Sequence, residues 1–284
     1  MTPHSDGLSA HDLERLRRLV YQQSGITLSP EKKLMLEGRL RRRMSRLNIG
    51  SYRQYCEYVF DGAGHEAEEL VHLIDVVTTN KTDFFRERVH FDFLAATALP
   101  ELTAQASGRP LLIWSAGCST GEEPYTLAMV LNEYRQSHPG FRFRILATDI
   151  STAVLEKAAR GVFHSDVVRP VPREMLRRYF MRSRDPDSGL LRVVPELRET
   201  IEFRYLNLME EFGLTEPTDA IFCRNVIIYF DRPTQERLLT KFSRQLVAGG
   251  YLFLGHSESL HQMDIQLSPV APALYRKDHV RVHH

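Results

Sequence analysis

Short apolar runs that alternate with helical segments are the feature that most restricts what this chain can fold into. The runs are LLIWSAG from Leu111, FRILATDI from Phe143, IEFRYLNL from Ile201, DAIFCRNVIIYF from Asp219 and GYLFLGHSES from Gly250. Such runs suit strands that are covered on both faces, and helical patterns such as Glu122–Ser137 and Pro233–Val247 separate them. Strands and helices in alternation build a mostly parallel sheet, whose ligand sites lie beyond the carboxyl ends of the strands. The sequence therefore predicts an α/β fold with its function in the turns that follow the strands.

The front of the chain has a different pattern. From Ser9 to about Ser107 the apolar residues recur at helical spacing. Ser9, Ser29 and Ser51 each precede a helical pattern and are predicted to be helix N-caps, because a serine oxygen accepts a hydrogen bond from a free amide of the first turn. The front is therefore predicted to be a small bundle of short helices.

The length and one irregular stretch define the predicted domains. A chain of 284 residues is long enough for two modest domains. We predict an all-α N-terminal domain and linker at 1–90 and an α/β domain at 91–284. The polar, turn-rich stretch Arg182–Leu191 interrupts the alternation, which predicts a small β-subdomain inserted at about 165–203.

The composition excludes several classes of protein. With 43% hydrophobic and 26% charged residues the chain is typical of globular proteins, and its net charge of +1 demands neither a nucleic acid nor an anionic membrane as partner. The three cysteines are far apart and include no C-x-x-C pair, which argues against a disulfide framework. No apolar stretch approaches the roughly 20 residues that span a bilayer. These features predict a cytoplasmic protein that does not insert into the membrane.

The turn after the first strand, Ser115–Pro124, is rich in small residues that let a ligand approach the backbone. It matches neither the P-loop nor the dinucleotide fingerprint. Glu122 and Glu123 occupy the helix N-terminus that a phosphate would otherwise use, so the ligand is expected to carry a cation. S-adenosylmethionine has a sulfonium, an ammonium and no phosphate. The alternative is a surface turn with two glutamates that stabilise the helix.

Two further strand ends carry polar candidates. Asp149 follows the second strand, where a carboxylate can accept hydrogen bonds from both ribose hydroxyls. Its alternative role is the N-cap of the next helix, although Ser151 is available for that. Arg224 ends the fourth strand, and a buried arginine usually needs an anion. Either the carboxylate of the cofactor or a structural aspartate such as Asp219 can supply it.

Four motifs in this order resemble the CheR-type chemotaxis receptor methyltransferases. They are TNKTDFFRE from Thr79, SAGCSTGEEPY from Ser115, ATDI from Ala147 and FCRNVIIYF from Phe222. The resemblance covers nearly the whole chain. It implies a Rossmann-like class I methyltransferase domain with an inserted β-subdomain, preceded by an all-α domain. It also implies methyl transfer from S-adenosylmethionine to receptor glutamates, giving glutamyl methyl esters and S-adenosylhomocysteine in chemotactic adaptation.

The resemblance assigns roles to individual positions. Asn80, Thr82 and Arg86 would contact the methionine end of the cofactor, and Glu123 and Asp149 its nucleoside and amino-acid parts. The residues that would complete the pocket are Asn207, Leu208, Arg224 and Asn225. Tyr229 would lie beside the transferring methyl group, and Arg86 and Tyr229 are the two candidates for a catalytic role.

A basic stretch in the helical front is a candidate for substrate recognition. From Glu31 to Arg46 seven basic residues accompany two acidic ones, a local balance of +5. Helical spacing places four arginines on one face, namely Arg39, Arg42, Arg43 and Arg46. The face is either a solvated surface or, as the resemblance implies, a contact for the methylated cytoplasmic helices of the receptor.

The resemblance also bears on partners and localisation. In part of the family the β-subdomain docks a tethering peptide at the receptor C-terminus, which for this chain is left open. Recruitment to membrane receptor arrays would follow from binding to the receptor.

Two alternatives and one exclusion complete the sequence-based expectations. The alternatives are a non-catalytic S-adenosylmethionine-binding signalling module and an RNA methyltransferase. Against RNA, the front lacks interleaved aromatic residues for base stacking. No metal is expected, because the twelve histidines form no cluster with ligand spacing and methyl transfer to a carboxylate needs no Lewis acid.

Overall fold

The computed structural model describes residues 7–61, 66–78 and 80–278, so Thr79 at the start of the first motif lies outside it. The N-terminal helices are α1 (Ala10–Ser24), α2 (Lys33–Leu47), α3 (Tyr52–Asp61) and α4 (Glu66–Val77). Two of the predicted caps are confirmed, because the hydroxyls of Ser9 and Ser51 accept from the amides of Asp12 and Gln54 at 3.0 and 3.2 Å. Ser29 instead precedes a single 3₁₀ turn, Pro30–Lys32.

The helical segment that follows packs on the sheet. It consists of α5 (Val89–Phe93), a π-helical turn (Leu94–Ala98) and α6 (Leu99–Ala106). Phe91 and Leu94 share one buried cluster with Ile113 and Phe222 of the sheet. The bundle of α1–α4 packs on the opposite face, where its apolar core is continuous with Trp114 and its neighbours. The sheet therefore lies between two helical layers.

Seven strands form the main sheet. They are β1 (Leu111–Ala116), β2 (Phe143–Asp149), β6 (Ile201–Tyr205), β7 (Thr218–Cys223), β8 (Leu246–Leu254), β9 (Leu267–Ala271) and β10 (Leu274–Lys277). Their order is β6-β2-β1-β7-β8-β10-β9. The first five run parallel, and β10 is antiparallel to both β8 and β9. The helices between them are α7 (Glu122–Ser137), α8 (Thr152–Arg160), α9 (Arg173–Tyr179), α10 (Pro195–Arg198) and α11 (Arg232–Gln245). The predicted α/β fold with a mostly parallel sheet is confirmed.

The inserted β-subdomain is present, but its bounds differ from the predicted 165–203. A three-stranded antiparallel sheet in the order β3-β5-β4 consists of β3 (Val162–His164), β4 (Phe180–Arg182) and β5 (Leu190–Val193). The strand that begins at Ile201 was partly placed in the insertion, which is wrong, because it pairs in parallel with β2 at the edge of the main sheet. A short apolar run carries no signal of which sheet it joins.

Within the described residues, no helix combines the length and the apolar character that crossing a bilayer requires.

Candidate active site

A cleft that is partly open to solvent lies over the carboxyl ends of the parallel strands. All ten residues predicted for cofactor binding or catalysis line it: Asn80, Thr82, Arg86, Glu123, Asp149, Asn207, Leu208, Arg224, Asn225 and Tyr229. Their elements are far apart in sequence. The parallel sheet brings them together because its carboxyl ends meet at one edge.

The turn after β1 forms the floor of the cleft and depends on two glycines. Gly117 has φ +83° and Gly121 has φ +102°, conformations that other residues rarely adopt. A Cβ on Gly117 would lie 2.5 Å from a methyl carbon of Val226, and one on Gly121 would lie 3.1 Å from the Cα of Ala158. The turn therefore approaches its neighbours as closely as glycine allows.

Asp149 is a buried carboxylate at the end of β2. Its Oδ2 accepts from the amide of Ser119 at 2.8 Å and its Oδ1 from the amide of Ser151 at 2.9 Å. Burial raises the pKa of the Asp149 carboxyl, although these backbone amides oppose the shift. The cap of α8 is Ser151, whose hydroxyl accepts from the amide of Val154 at 3.3 Å. Asp149 thus braces the turn, and it also lines the cleft.

The guanidinium of Arg224 pairs with two carboxylates of the protein itself. Its Nη1 lies 3.1 Å from Oε2 of Glu123 and its Nη2 3.2 Å from Oε2 of Glu87. The suggestion that Asp219 pairs with Arg224 is wrong, because Asp219 makes a two-pronged contact with Arg109 at 2.6 and 2.8 Å. Glu87 was not among the predicted residues, since sequence spacing gives no hint of its contact with Arg224.

Glu123 lies at the start of α7, with Ser115 and Arg224 as its partners. Its Oε1 accepts from the hydroxyl of Ser115 at 2.7 Å. Burial raises the pKa of the Glu123 carboxyl, and Arg224 works in the opposite direction. A cationic group placed in the cleft would stabilise the charged form of this carboxylate.

The N-terminal helices supply one wall of the cleft, which the sequence did not predict. Ser24 and Ile26 line it, and Ile26 forms an isolated antiparallel bridge with Phe230. Lys32 places its ammonium 5.4 Å from the centre of the Tyr229 ring. Asn207 donates to the carbonyl of Gln23 at 2.6 Å. The N-terminal bundle is therefore part of the site. The isolated β-bridge between Ile26 and Phe230, which joins the bundle to the α/β domain, leaves no pattern in the sequence.

The structure divides the four arginines predicted to contact substrate. Arg39 donates to the carbonyls of Val76 and Thr78 at 2.8 and 2.7 Å, and so stabilises the end of α4. Arg43 pairs with the buried Glu69 at 2.6 Å. The guanidinium groups of Arg39 and Arg43 therefore make contacts between helices, and a substrate contact of these two arginines stays a prediction. Arg42 and Arg46 are exposed.

Among the described residues, three possible metal ligands that are not ligand-spaced in the sequence come together near Arg224. One ligand atom each from Glu87, His90 and His256 lies within 4.8 Å of the other two. The guanidinium of Arg224 already pairs with Glu87, and a second cation there would meet its charge. The positive charge of Arg224 therefore disfavours the binding of a metal cation by this cluster.

His90 is expected to make the protein less stable in acid. The side chain is fully buried, and burial together with the nearby Arg224 lowers the pKa of His90 to about 4. In the unfolded chain the pKa of the imidazole is about 6.5. Between about pH 6.5 and pH 4 the unfolded state therefore binds a proton that the folded state does not, and the free energy of unfolding decreases as the pH is lowered. His90→Phe should reduce the loss of unfolding free energy between pH 7.5 and pH 5 by about 2 kcal/mol, measured by urea unfolding. The exposed His261→Phe is the control, and an equal loss in both variants would contradict the assignment.

The N-terminal and the C-terminal part of the chain both match models of the same protein family. The family model described as "CheR methyltransferase, all-alpha domain" matches residues 11–78, and "CheR methyltransferase, SAM binding domain" matches residues 80–273. A chemotaxis protein methyltransferase of Borreliella burgdorferi is 39% identical over 95% of this chain and 95% of its own. Chemotaxis protein methyltransferase 2 of Pseudomonas aeruginosa is 40% identical over 93% and 92%. The chemotaxis protein methyltransferase of Escherichia coli is 40% identical over 90% and 87%.

Proposed function

The chain belongs to the CheR methyltransferase family, whose S-adenosylmethionine-binding domain it carries, and we propose that it methylates glutamate side chains of methyl-accepting chemotaxis receptors. The products would be glutamyl methyl esters and S-adenosylhomocysteine, formed during adaptation. The observation that carries this proposal is the single cleft in which ten residues from separate motifs meet. Its acidic floor suits a cationic cofactor better than a phosphate.

The acceptor determines the chemistry. A glutamate has a pKa near 4.3, so at pH 7 it is already a nucleophilic carboxylate and needs no general base. In the proposed displacement, one oxygen of the acceptor carboxylate would bond to the methyl carbon as the carbon–sulfur bond breaks, and the electron pair of that bond would remain on sulfur. The positive charge of the sulfonium and the negative charge of the carboxylate both disappear. Catalysis then consists mainly of alignment and of removing water from the carboxylate.

The proposed cofactor contacts follow the walls of the cleft. Asp149 would accept from the ribose hydroxyls, and Glu123 would face a cationic part of the cofactor. Asn80, Thr82 and Arg86 would hold the methionine end. The remaining wall residues would be Asn207, Leu208, Arg224 and Asn225. Support for this arrangement comes from their shared lining of the cleft.

Arg86 and Tyr229 are proposed to orient the acceptor. Both line the cleft, and Tyr229 is half-buried in the 3₁₀ turn Ile227–Tyr229. A strong ion pair between Arg86 and the acceptor would stabilise the ground-state carboxylate more than a transition state that is losing charge. Weak polar contacts that orient the acceptor carboxylate therefore favour the reaction more than a strong ion pair does.

The assay that tests the proposal follows tritiated methyl from S-adenosylmethionine into receptor-enriched membranes, with RNA in parallel. We expect label on receptor protein that mild alkali releases as methanol, because methyl esters hydrolyse under these conditions. Label on RNA would favour the RNA methyltransferase. Label on neither, with S-adenosylhomocysteine still bound, would favour the non-catalytic signalling module.

Receptor recognition is proposed for the exposed part of α2. Arg42 and Arg46 are free of the interhelical contacts made by Arg39 and Arg43, and they would meet the acidic face of a receptor helix in its cytoplasmic region. On this proposal the protein acts in the cytoplasm and is recruited to receptor arrays.

Reversing both charges, Arg42→Glu with Arg46→Glu, should raise the KM for receptor about tenfold or more and leave kcat unchanged. The reason is that like charges would face each other at the rim of the interface. The measurement is steady-state methylation at two salt concentrations, since screening should shrink the difference. Arg244→Glu, on the exposed surface of α11, is the matched control. The same KM in all three proteins would contradict the proposed surface.

The inserted β-subdomain is the proposed place for a receptor C-terminal tethering peptide. β3 and β4 are the outer strands of its sheet, and an extended peptide can pair with such an edge. Calorimetry with receptor C-terminal peptides tests whether this member of the family uses the edge.

A further inference from the structure

Arg86 lies in a backbone segment that is unfavourable by itself. The residues on either side of it, Phe85 and Glu87, both have φ +54°, in the left-handed region. Residues other than glycine rarely adopt this backbone conformation, and it is especially unusual for a bulky residue such as phenylalanine. Such strain persists only where surrounding contacts enforce it, and it tends to concentrate at functional sites.

Apolar contacts hold the segment from one side. The buried ring of Phe84 packs edge-on against Phe163 at 4.9 Å and Phe180 at 5.7 Å between ring centres. The amide of Phe85 donates to the hydroxyl of Thr126 at 3.2 Å. These contacts anchor the start of the segment, and they leave the backbone after Arg86 to be held by other groups.

Polar contacts from Arg224 hold the other side. Its guanidinium, 3% exposed, donates to the carbonyl of Arg86 and lies 3.2 Å from Oε2 of Glu87. The same group lies 3.1 Å from Glu123, at the fixed start of α7. Burial works to raise the pKa of Glu87, but Arg224 and His256 together outweigh it and the pKa lies below its usual range. Glu87 is therefore a charged partner.

We propose that Arg224 and Glu87 are positioning residues, whose buried ion pair fixes the strained backbone around Arg86 and so aims the Arg86 side chain into the cleft. This inference rests on the proposed function, in which Arg86 orients the reacting groups. A planar guanidinium can reach three acceptors at once, whereas the point charge of lysine cannot reproduce that geometry. The contact therefore needs arginine as well as positive charge.

The test compares Glu87→Gln, Arg224→Lys and the double variant. We expect each single change to lower kcat tenfold to 100-fold with little effect on the KM for receptor, because misplacement of an orienting group acts on alignment. The double variant should be no slower than the slower single one, since both changes remove the same contact. Hydrogen exchange of the amides from 83 to 88 should be at least tenfold faster in all three variants.

Arg109→Lys is the control. It weakens another ion pair, between the exposed Arg109 and the buried Asp219 at the opposite end of the sheet, and should leave kcat and the exchange of residues 83–88 as they are. Wild-type kcat and exchange in Glu87→Gln would overturn the proposal. Loss of S-adenosylhomocysteine affinity in Arg224→Lys with wild-type exchange of residues 83–88 would also overturn it, because Arg224 would then act only as a cofactor contact. Glu87→Gln keeps the side-chain shape and so carries the test if Arg224→Lys does not fold. If the wild type methylates no receptor, the proposed function fails, and the exchange of residues 83–88 still decides the positioning role.

Discussion

Replacing Asp149 by alanine is expected to weaken the binding of S-adenosylhomocysteine more than about 100-fold. Hydrogen bonds to a charged acceptor contribute about 1.5–3 kcal/mol each, and two ribose hydroxyls would lose theirs. The amide of Ser119 would also lose its acceptor, which loosens the turn after β1. Isothermal titration calorimetry measures the effect directly.

Two comparisons separate ribose binding from support of the turn. Ser151→Ala removes the cap of α8 but leaves the carboxylate in place, so its affinity should stay close to that of the wild type. Thermal unfolding of each variant shows whether Asp149→Ala has folded. An unchanged affinity in a folded Asp149→Ala variant would mean that the carboxylate only braces the turn.

The second large effect is expected at Arg86, where alanine should lower kcat about 100-fold. A displacement reaction depends on alignment, and misplacing a reacting group by about 1 Å costs on the order of 100-fold. The Arg86 guanidinium lines the cleft and donates to the carbonyl of Lys81 at 3.0 Å, so its removal would leave a gap in the wall where the reacting groups are proposed to meet. The measurement is single-turnover methylation with saturating cofactor.

Arg88→Ala is the matched control for Arg86→Ala. Arg88 lies two residues further along, is exposed and pairs with Asp92 at 3.7 Å. Its removal should leave kcat unchanged. If Arg86→Ala weakens cofactor binding but methylates at the wild-type rate with saturating cofactor, Arg86 is a binding residue only.

Much of the fold followed from the sequence because its signals are local. Helix α7 was predicted at Glu122–Ser137 and has those bounds, and β1, β2 and β7 follow the apolar runs. The carboxyl-edge rule for parallel sheets then located the cleft before any contact was known. The strand at Ile201 was misassigned in part, because local pattern does not specify which sheet a strand joins.

The arginines of α2 show the limit of a helical pattern. Spacing correctly placed Arg39 and Arg43 near each other on the helix, but not against α4. Which face of a helix packs on a neighbour depends on the position of the other helix. The division between structural and exposed arginines was therefore decided by tertiary packing.

The local sequence determined the order of strands and helices, the glycine-dependent turn after β1 and the residue types at the strand ends. These depend on backbone conformation, side-chain period and capping, which involve neighbours in sequence. The tertiary structure alone decided that Arg224 pairs with Glu87 and Glu123, that His90 and His256 meet, and that Ile26 closes a wall of the cleft. These contacts join residues that are distant along the chain, so the energy that selects them exists only once the sheet and the helical bundle have packed together.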